Sequence, residues 1–259
     1  DSSNHAGVRM TAYAGTQGLF PTVYNPTTGR PPGPAHLFPG PFHLGQKVSR
    51  EVEADRGRDA DPTNNLLPRR DQANLDRYDD GLRPHALDLV DCQTTTMDVA
   101  VTISPRAVAY LRNHGGKGYL NMWLDSNRDG DWEDIVDCPV SDGGAAHALE
   151  HILVDHEIDA VALGAGTHVI PVPTGYVSWP AKYSDKPVWM RVTLSERQAN
   201  KTLSINVSDD RSYSYGDGRG YVPPFVLGET EDYKFRLGDL VDGADVVIHK
   251  RGAARKRFH

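Results

Sequence analysis

The chain has 259 residues, of which 28 are basic and 35 are acidic, so its formal net charge is −7. Residues 250–259 contain five Lys or Arg and no acid, which leaves 23 basic against 35 acidic residues, a charge of −12, on residues 1–249. An acidic body excludes sequence-independent binding to nucleic acid or anionic lipid, since both require a positive field. No apolar run is long enough to insert into a membrane as a helix. The content of 25 Gly and 18 Pro is typical of a loop-rich β protein.

Residues 1–84 are the least regular part of the sequence, and we expect a long irregular Pro/Gly-rich and acidic segment that packs on the following domain. Repeated Pro, as in residues 30–34 (RPPGP), excludes long helices. The aromatic and His side chains of residues 1–50 favour packing against a surface over a free linker. Because the chain begins at Asp1 and not at Met, we expect it to be a piece of a longer precursor.

Residues 85–240 are typical of a β domain, because alternating or compact apolar runs are separated by Gly, Pro and Asp. The predicted strands are Thr95–Ile103, Tyr119–Leu124, Val188–Leu194, Leu203–Val207 and Asp232–Leu237. A short helix is expected near His147–Asp155. Because strands and helices do not alternate regularly, the pattern predicts a mostly β fold, an antiparallel β-sandwich of the jelly-roll or immunoglobulin-like kind with little helix.

Cys92 and Cys138 are the only cysteines, so the chain can form one disulfide. A bridge that closes about 45 residues contributes roughly 3–4 kcal/mol in the chain-entropy model. Two free buried thiols are the alternative. We favour the disulfide, since other features of the sequence point to an extracellular or cell-surface location, where disulfides persist.

The strongest local motif is DSNRDGDWE at residues 125–133. Oxygen-bearing side chains occupy loop positions 1, 3 and 5, and Gly130 occupies position 6, where a calcium loop bends sharply. Position 12 is Val136 in place of a bidentate Glu, so a remote carboxylate must complete the coordination sphere. A solvated acidic turn is the alternative. The candidate ligands within the loop are Asp125, Asn127, Asp129, Asp131 and Glu133.

A second acidic zone lies in residues 51–80, where nine acids stand against five Arg. Crowded like charges are unfavourable unless a cation or Arg compensates them. This zone predicts a second, weaker calcium site, with ordinary surface charge as the alternative. Its candidate ligands are Glu51, Glu53, Asp55, Asp79 and Asp80.

Two motifs together resemble the bacterial GEVED domain: residues 122–132 (MWLDSNRDGDW) and residues 228–233 (GETEDY), with Thr230 in place of the family's Val. His43–Gly45 and the acids that follow also resemble the acidic segment that commonly precedes this module. The resemblance covers most of residues 36–237. It implies a secreted or cell-surface β-sandwich without catalytic activity. It also makes Glu229, Glu231 and Asp232 candidate closing ligands for the calcium loop.

Residues 241–259 are predicted to lead into a following domain. Ala244–Lys250 resembles the first strand of the repeat domains strung along bacterial surface proteins. A lone strand seeks a sheet edge, so addition of this strand to a neighbouring copy of the chain is a second interpretation. A short remnant of a linker is the alternative.

Two other functions have partial support in the sequence. His147-x-x-Glu150-His151 matches an inverted zinc-peptidase helix, with Glu150 as general base, although the pattern arises easily in a chain with 11 His. Trp179, Tyr215 and Tyr221 could form a platform for a glycan, although rings that cover the core edges are the alternative. The sequence thus predicts an extracellular, non-enzymatic structural or adhesive module that binds one or two Ca²⁺. Its expected partners are neighbouring domains or copies of itself, with a carbohydrate-binding module as the alternative.

Overall fold

The computed structural model describes residues 11–17, 20, 34–48, 79–82, 89–139, 144–183, 186–199, 216, 218 and 224–235. The strands, in chain order, are β1 (Thr11–Tyr13), β2 (Thr16–Gln17), β3 (His36–Phe38), β4 (Phe42–Leu44), β5 (Thr96–Ile103), β6 (Gly118–Leu124), β7 (Ile135–Pro139), β8 (Ala145–Leu149), β9 (Leu153–Ile158), β10 (Gly166–Pro173), β11 (Val188–Ser195) and β12 (Phe225–Phe235). The helices are α1 (Pro105–Arg112), α2 (Ala160–Leu163) and a 3-10 turn (Ala181–Tyr183). None of the helices in the described part of the chain is long and apolar enough to cross a membrane.

Two sheets form the sandwich. The larger has five strands in the order β3-β12-β11-β6-β9, and the smaller has three in the order β10-β5-β4. All their pairings are antiparallel except that of β3 with β12, which is parallel. The predicted mostly β, antiparallel fold is therefore confirmed. Two further pairs, β1–β2 and β7–β8, form small separate hairpins.

Strand β11, in the middle of the larger sheet, is buried on both of its faces. Val188, Met190, Val192 and Leu194 alternate along it and face the main core between the sheets, in which they are fully buried. The intervening residues are also buried, because the outer face is covered by a second apolar cluster. Its members are Ala12, Phe20, Trp123, Trp132, Trp189 and Ala199.

The described part of the N-terminal segment contributes to this outer cover. The Trp189 indole Nε1 donates to the Ala12 carbonyl at 2.9 Å, and the Trp189 backbone N–H donates to the Tyr13 hydroxyl at 3.0 Å. These residues therefore contact the sandwich directly. The domain boundaries at 84 and 240 stay predictions.

The main predicted strands lie where alternation places them, as Thr96–Ile103, Gly118–Leu124 and Val188–Ser195. The last described strand begins at Phe225, seven residues before the predicted Asp232. The predicted strand Leu203–Val207 lies outside the described residues. The disulfide prediction is confirmed, since Cys92 and Cys138 are bonded to each other.

The helix expected near His147–Asp155 is wrong. This stretch contains the end of β8, a turn and the start of β9, which pair with β7 and β6 respectively. Long-range pairing overrides the weak local helical preference there. The longest described helix is α1, which the sequence signals by Ser104 at the N-cap, where its hydroxyl accepts from the Ala107 N–H, and by Pro105 at the first helical position.

Candidate metal centre

The DSNRDGDWE loop begins where β6 ends. Asp125 is fully buried, and its backbone N–H donates to the Trp189 carbonyl at 3.0 Å, which continues the sheet for one residue. The Asp125 Oδ2 atom accepts the Gly130 N–H at 3.1 Å, across the loop. Gly130 has a φ of 95°, in the left-handed region that favours glycine. The bend that the sequence predicts at this Gly is therefore present.

Three alternate side chains of the loop each accept a hydrogen bond from the backbone N–H two residues later. Asn127 Oδ1 accepts from Asp129 at 2.9 Å, Asp129 Oδ1 from Asp131 at 3.2 Å, and Asp131 Oδ1 from Glu133 at 3.1 Å. Such turns are a usual conformation of Asn and Asp. They occupy one oxygen of each residue and hold alternate side chains in a fixed curve.

Three carboxylates converge at the end of the loop. One oxygen from each of Asp129, Asp131 and Asp134 lies within 4.8 Å of the others, and within the described residues no other three acidic, His or Cys side chains form such a group. The Asn127 side-chain amide contacts Asp129 at 3.1 Å and Asp134 at 2.5 Å. Burial, together with the neighbouring charges of Asp129 and Asp131, raises the pKa of Asp134 to about 6. Asp134 was not among the predicted ligands.

Asp125 adds a second observation. Its Oδ1 atom is buried and has no hydrogen-bond partner among the residues that the structure describes. Burial, with a contribution from the charge of Asp129, raises the pKa of Asp125 to about 7, while the nearby Tyr13 hydroxyl and the Gly130 N–H act in the opposite direction. A buried carboxylate oxygen without a donor is unfavourable, so this atom is suited to a cation.

A remote carboxylate does approach the loop, and it belongs to Glu150. This buried side chain accepts from the Ser126 N–H at 2.8 Å, the Ser126 hydroxyl at 3.2 Å, and the Asn127 and Asp134 N–H groups at 3.4 Å each. Burial and the charges of Asp125, Asp134 and Asp129 raise the pKa of Glu150 well above its usual range. Glu150 therefore fixes the backbone of the loop through hydrogen bonds to three of its N–H groups. Sequence reasoning assigned it to a different motif.

The structure does not bring the late GETED carboxylates to this loop, so their prediction as closing ligands is wrong. Glu229 accepts the Leu44 N–H at 3.0 Å. Glu231 accepts the Asp80 N–H at 3.0 Å and the Gly81 N–H at 3.1 Å. These bonds connect β12 to β4 of the smaller sheet and to the segment that contains Asp80 and Gly81.

The third member of that motif, Asp232, forms a bidentate ion pair with Arg191. Its two carboxylate oxygens accept from Nε at 2.7 Å and from Nη2 at 2.6 Å. The Arg191 guanidinium also donates to the Gly218 carbonyl and lies over the Trp132 ring. The charge of Asp232 is therefore compensated by Arg191.

Of the second predicted calcium site, only Asp79 and Asp80 are described, and Glu51, Glu53 and Asp55 lie outside the described residues. The Asp80 Oδ1 atom accepts the Gln46 N–H at 2.9 Å and the Lys47 N–H at 3.4 Å. Burial raises the pKa of Asp80, and these donors oppose the rise. Asp80 therefore fastens one chain segment to another, and the second calcium site stays a prediction.

The zinc-peptidase motif is divided between two environments. His147, on β8, contacts Asp137 on the facing strand, with 2.7 Å between Nδ1 and Oδ1. His151 lies in the turn after β8, where its ring stacks on Trp123 and its Nε2 contacts Asn121 Oδ1 at 2.8 Å. The helix that would place both His residues on one face is replaced by strands.

The glycan platform is also not formed as predicted. Trp179 is 3% exposed and lies against the Arg128 guanidinium, 5.2 Å from the ring centroid, so its face does not meet solvent. This part of the prediction is wrong, because the ring packs in the core edge. Tyr215 and Tyr221 lie outside the described residues.

Comparison with known proteins adds no relative. No family model matches the chain, and neither a curated protein nor a solved structure matches it. Membership of the GEVED family therefore stays a prediction that rests on the two motifs.

Proposed function

We propose that this chain is a calcium-stabilised β-sandwich module with a structural or adhesive role in an extracellular bacterial surface protein. The observation that carries the proposal is the buried, unpaired Asp125 Oδ1 atom in a loop whose other carboxylates converge. The disulfide supports an extracellular location, since such bonds persist in oxidising compartments. Self-association through the C-terminal segment, which lies outside the described residues, belongs to the same proposal.

The chemistry of the donors selects calcium. The available side-chain ligands are oxygen atoms, which a hard cation prefers, and the loop lacks the His or Cys that zinc usually takes. Calcium accepts six to eight oxygens in an irregular arrangement, whereas magnesium demands a near-ideal octahedron. The proposed ligands are Asp125, Asn127, Asp129, Asp131 and Asp134. Glu150 is not among the proposed ligands, because it stays hydrogen-bonded to the backbone N–H groups of the loop and holds the loop in place.

The first experiment measures the melting temperature in excess calcium and after chelation with EDTA. At a free calcium concentration of 100 times Kd, binding stabilises the folded state by about 2.7 kcal/mol. For a chain of this size that raises the melting temperature by about 5–10 °C. An unchanged melting temperature would overturn the proposal.

A pair of charge-matched variants locates the site. Asp125→Asn keeps an acceptor for the Gly130 N–H but removes the charge that faces the cation. We expect it to lose the calcium-dependent rise in melting temperature. Glu157→Gln removes the same charge from an exposed side chain whose one ion pair within the described residues, with Lys117, spans 3.9 Å, and it should keep the full rise. Equal calcium responses in the two variants would place the cation elsewhere.

The adhesive role has a separate test. Light scattering on purified protein, with and without residues 241–259, measures whether the C-terminal segment links copies. Assembly of the full chain and a monomer after truncation support strand addition. A monomer in both cases removes self-association and leaves the calcium-stabilised module unaffected.

A further inference from the structure

The β7–β8 hairpin connects the proposed calcium site to the disulfide, because Cys138 lies in β7. Asp134 directly precedes β7, and Glu150 directly follows β8. The Glu150 N–H donates to the Asp134 carbonyl at 3.0 Å, so the two ends of the hairpin meet under the loop. The two strands hydrogen-bond as a separate two-stranded sheet, and an isolated hairpin is only marginally stable. The position of both acids therefore depends on what fastens this hairpin.

One fastening is the disulfide. Cys138 is fully buried in β7, four residues after Asp134, and its bond to Cys92 joins the hairpin to the segment before β5. That segment is itself held, because the Cys92 N–H donates to the Val177 carbonyl at 2.8 Å. The disulfide thus connects the calcium loop, through one short strand, to a fixed part of the sandwich.

A second connection returns from Cys92 to the loop. Asp91 accepts the Trp179 N–H at 2.7 Å, and the Trp179 ring lies against the guanidinium of Arg128, a residue of the calcium loop. Arg128 also donates to the carbonyls of Pro187, at 2.9 Å, and Tyr183, at 3.0 Å. Loop, hairpin, disulfide, Asp91, Trp179 and Arg128 therefore form a closed ring of contacts.

We propose that the Cys92–Cys138 disulfide and the cation site of residues 125–134 are energetically coupled, so that calcium binds more tightly to the oxidised chain than to the reduced one. The inference rests on the proposed calcium site. Reduction by a dithiol breaks the S–S bond, transfers two electrons and two protons to the sulfurs and closes the disulfide of the reductant. The ring of contacts then opens at Cys138, and the hairpin between Asp134 and Glu150 loses one of the contacts that hold it in place. The site binds its ion when the protein reaches an oxidising, calcium-rich medium.

Calorimetric titration with calcium, on oxidised protein and on the Cys92→Ala/Cys138→Ala variant, tests the coupling. We expect Kd to rise by about tenfold when the bond is absent, within the usual 5- to 150-fold range for coupled sites. By reciprocity, saturating calcium disfavours reduction in a dithiothreitol redox buffer by the same factor. Equal Kd values for the two proteins overturn the coupling and leave the calcium proposal intact. Failure of calcium to bind the oxidised protein overturns both.

Two further variants separate coupling from general loss of stability. Asp91→Ala breaks the second connection but keeps both sulfurs and the loop oxygens. We expect this variant to bind calcium, but with a smaller coupling factor, which is the ratio of the Kd without the disulfide to the Kd with it. Leu111→Ala weakens the core at α1, which contributes no residue to the ring of contacts, and we expect the full coupling factor. If the reduced protein unfolds, the rate at which dithiothreitol reduces the native protein carries the test. Calcium then slows reduction of the wild type more than of Asp91→Ala, and equal slowing in both contradicts the proposal.

Discussion

The Asp232–Arg191 ion pair offers the most direct check on how the late acidic motif works. Arg191 has 1% of its side chain exposed and Asp232 has 21%, so the pair lies largely out of water. Replacing one partner of a buried pair costs about 3–5 kcal/mol, because the other charge stays buried without compensation. Asp232→Asn retains one acceptor oxygen, and the Gly218 carbonyl still accepts from Arg191. We therefore expect the lower end, about 3 kcal/mol of unfolding free energy.

Urea unfolding of Asp232→Asn and of a matched control, Asp137→Asn, measures this cost. The Asp137 side chain is 66% exposed and, among the described residues, pairs with His147 across the hairpin, so its loss should cost less than about 1 kcal/mol. For Asp232→Asn we expect a fall in melting temperature of about 6–12 °C. The fall should be the same in EDTA as in calcium. A loss confined to calcium-containing buffer would show that Asp232 is a metal ligand and refute the structural role.

Three other outcomes follow from single positions. Gly228→Ala places a Cβ against the Leu194 carbonyl at a φ of 104°. It should destabilise the protein far more than Gly115→Ala, which has a similar φ of 92° but open space around it. Soluble yield and melting temperature of the two variants measure the difference. Burial raises the pKa of Glu231 in the folded protein to about 8, above its unfolded value. This group therefore makes the unfolding free energy fall as pH rises from about 4.5 to 8. Urea midpoints at pH 5 and pH 9 should accordingly differ less in Glu231→Gln than in the wild type. Ser104→Ala removes the N-cap of α1 and should cost about 1 kcal/mol in urea unfolding, whereas Ser104→Asp should cost little.

The fold could be predicted from the sequence wherever a local pattern and the tertiary environment agree. Val188–Ser195 alternates because one of its faces meets the core between the sheets. The stretch 147–155 could not be assigned in this way. Its residues become strands because β7 and β6 supply hydrogen-bond partners, and that pairing depends on residues distant in sequence.

The candidate site could be predicted only in part. The spacing of Asp125, Asn127, Asp129 and Gly130 predicts a curved loop with its oxygens turned inward, and the Gly130 bend and the successive turns agree with it. Glu150 could not be found from spacing, since it reaches the loop through the register that pairs Ile135 with Leu149. A sequence motif reports local geometry, while a remote carboxylate depends on how the chain folds back.

The acidic residues of this protein differ in the groups that compensate each carboxylate. Glu150, Glu229 and Glu231 are held by backbone N–H groups, so they act as clamps between segments. Asp232 is compensated by an Arg. Asp125 differs from all of these, because one of its buried oxygens has no hydrogen-bond donor among the described residues and the charge of Asp129 also opposes its ionisation. A cation is the compensation that such an arrangement lacks, and for this reason the calcium proposal rests on Asp125 more than on the number of carboxylates in the loop.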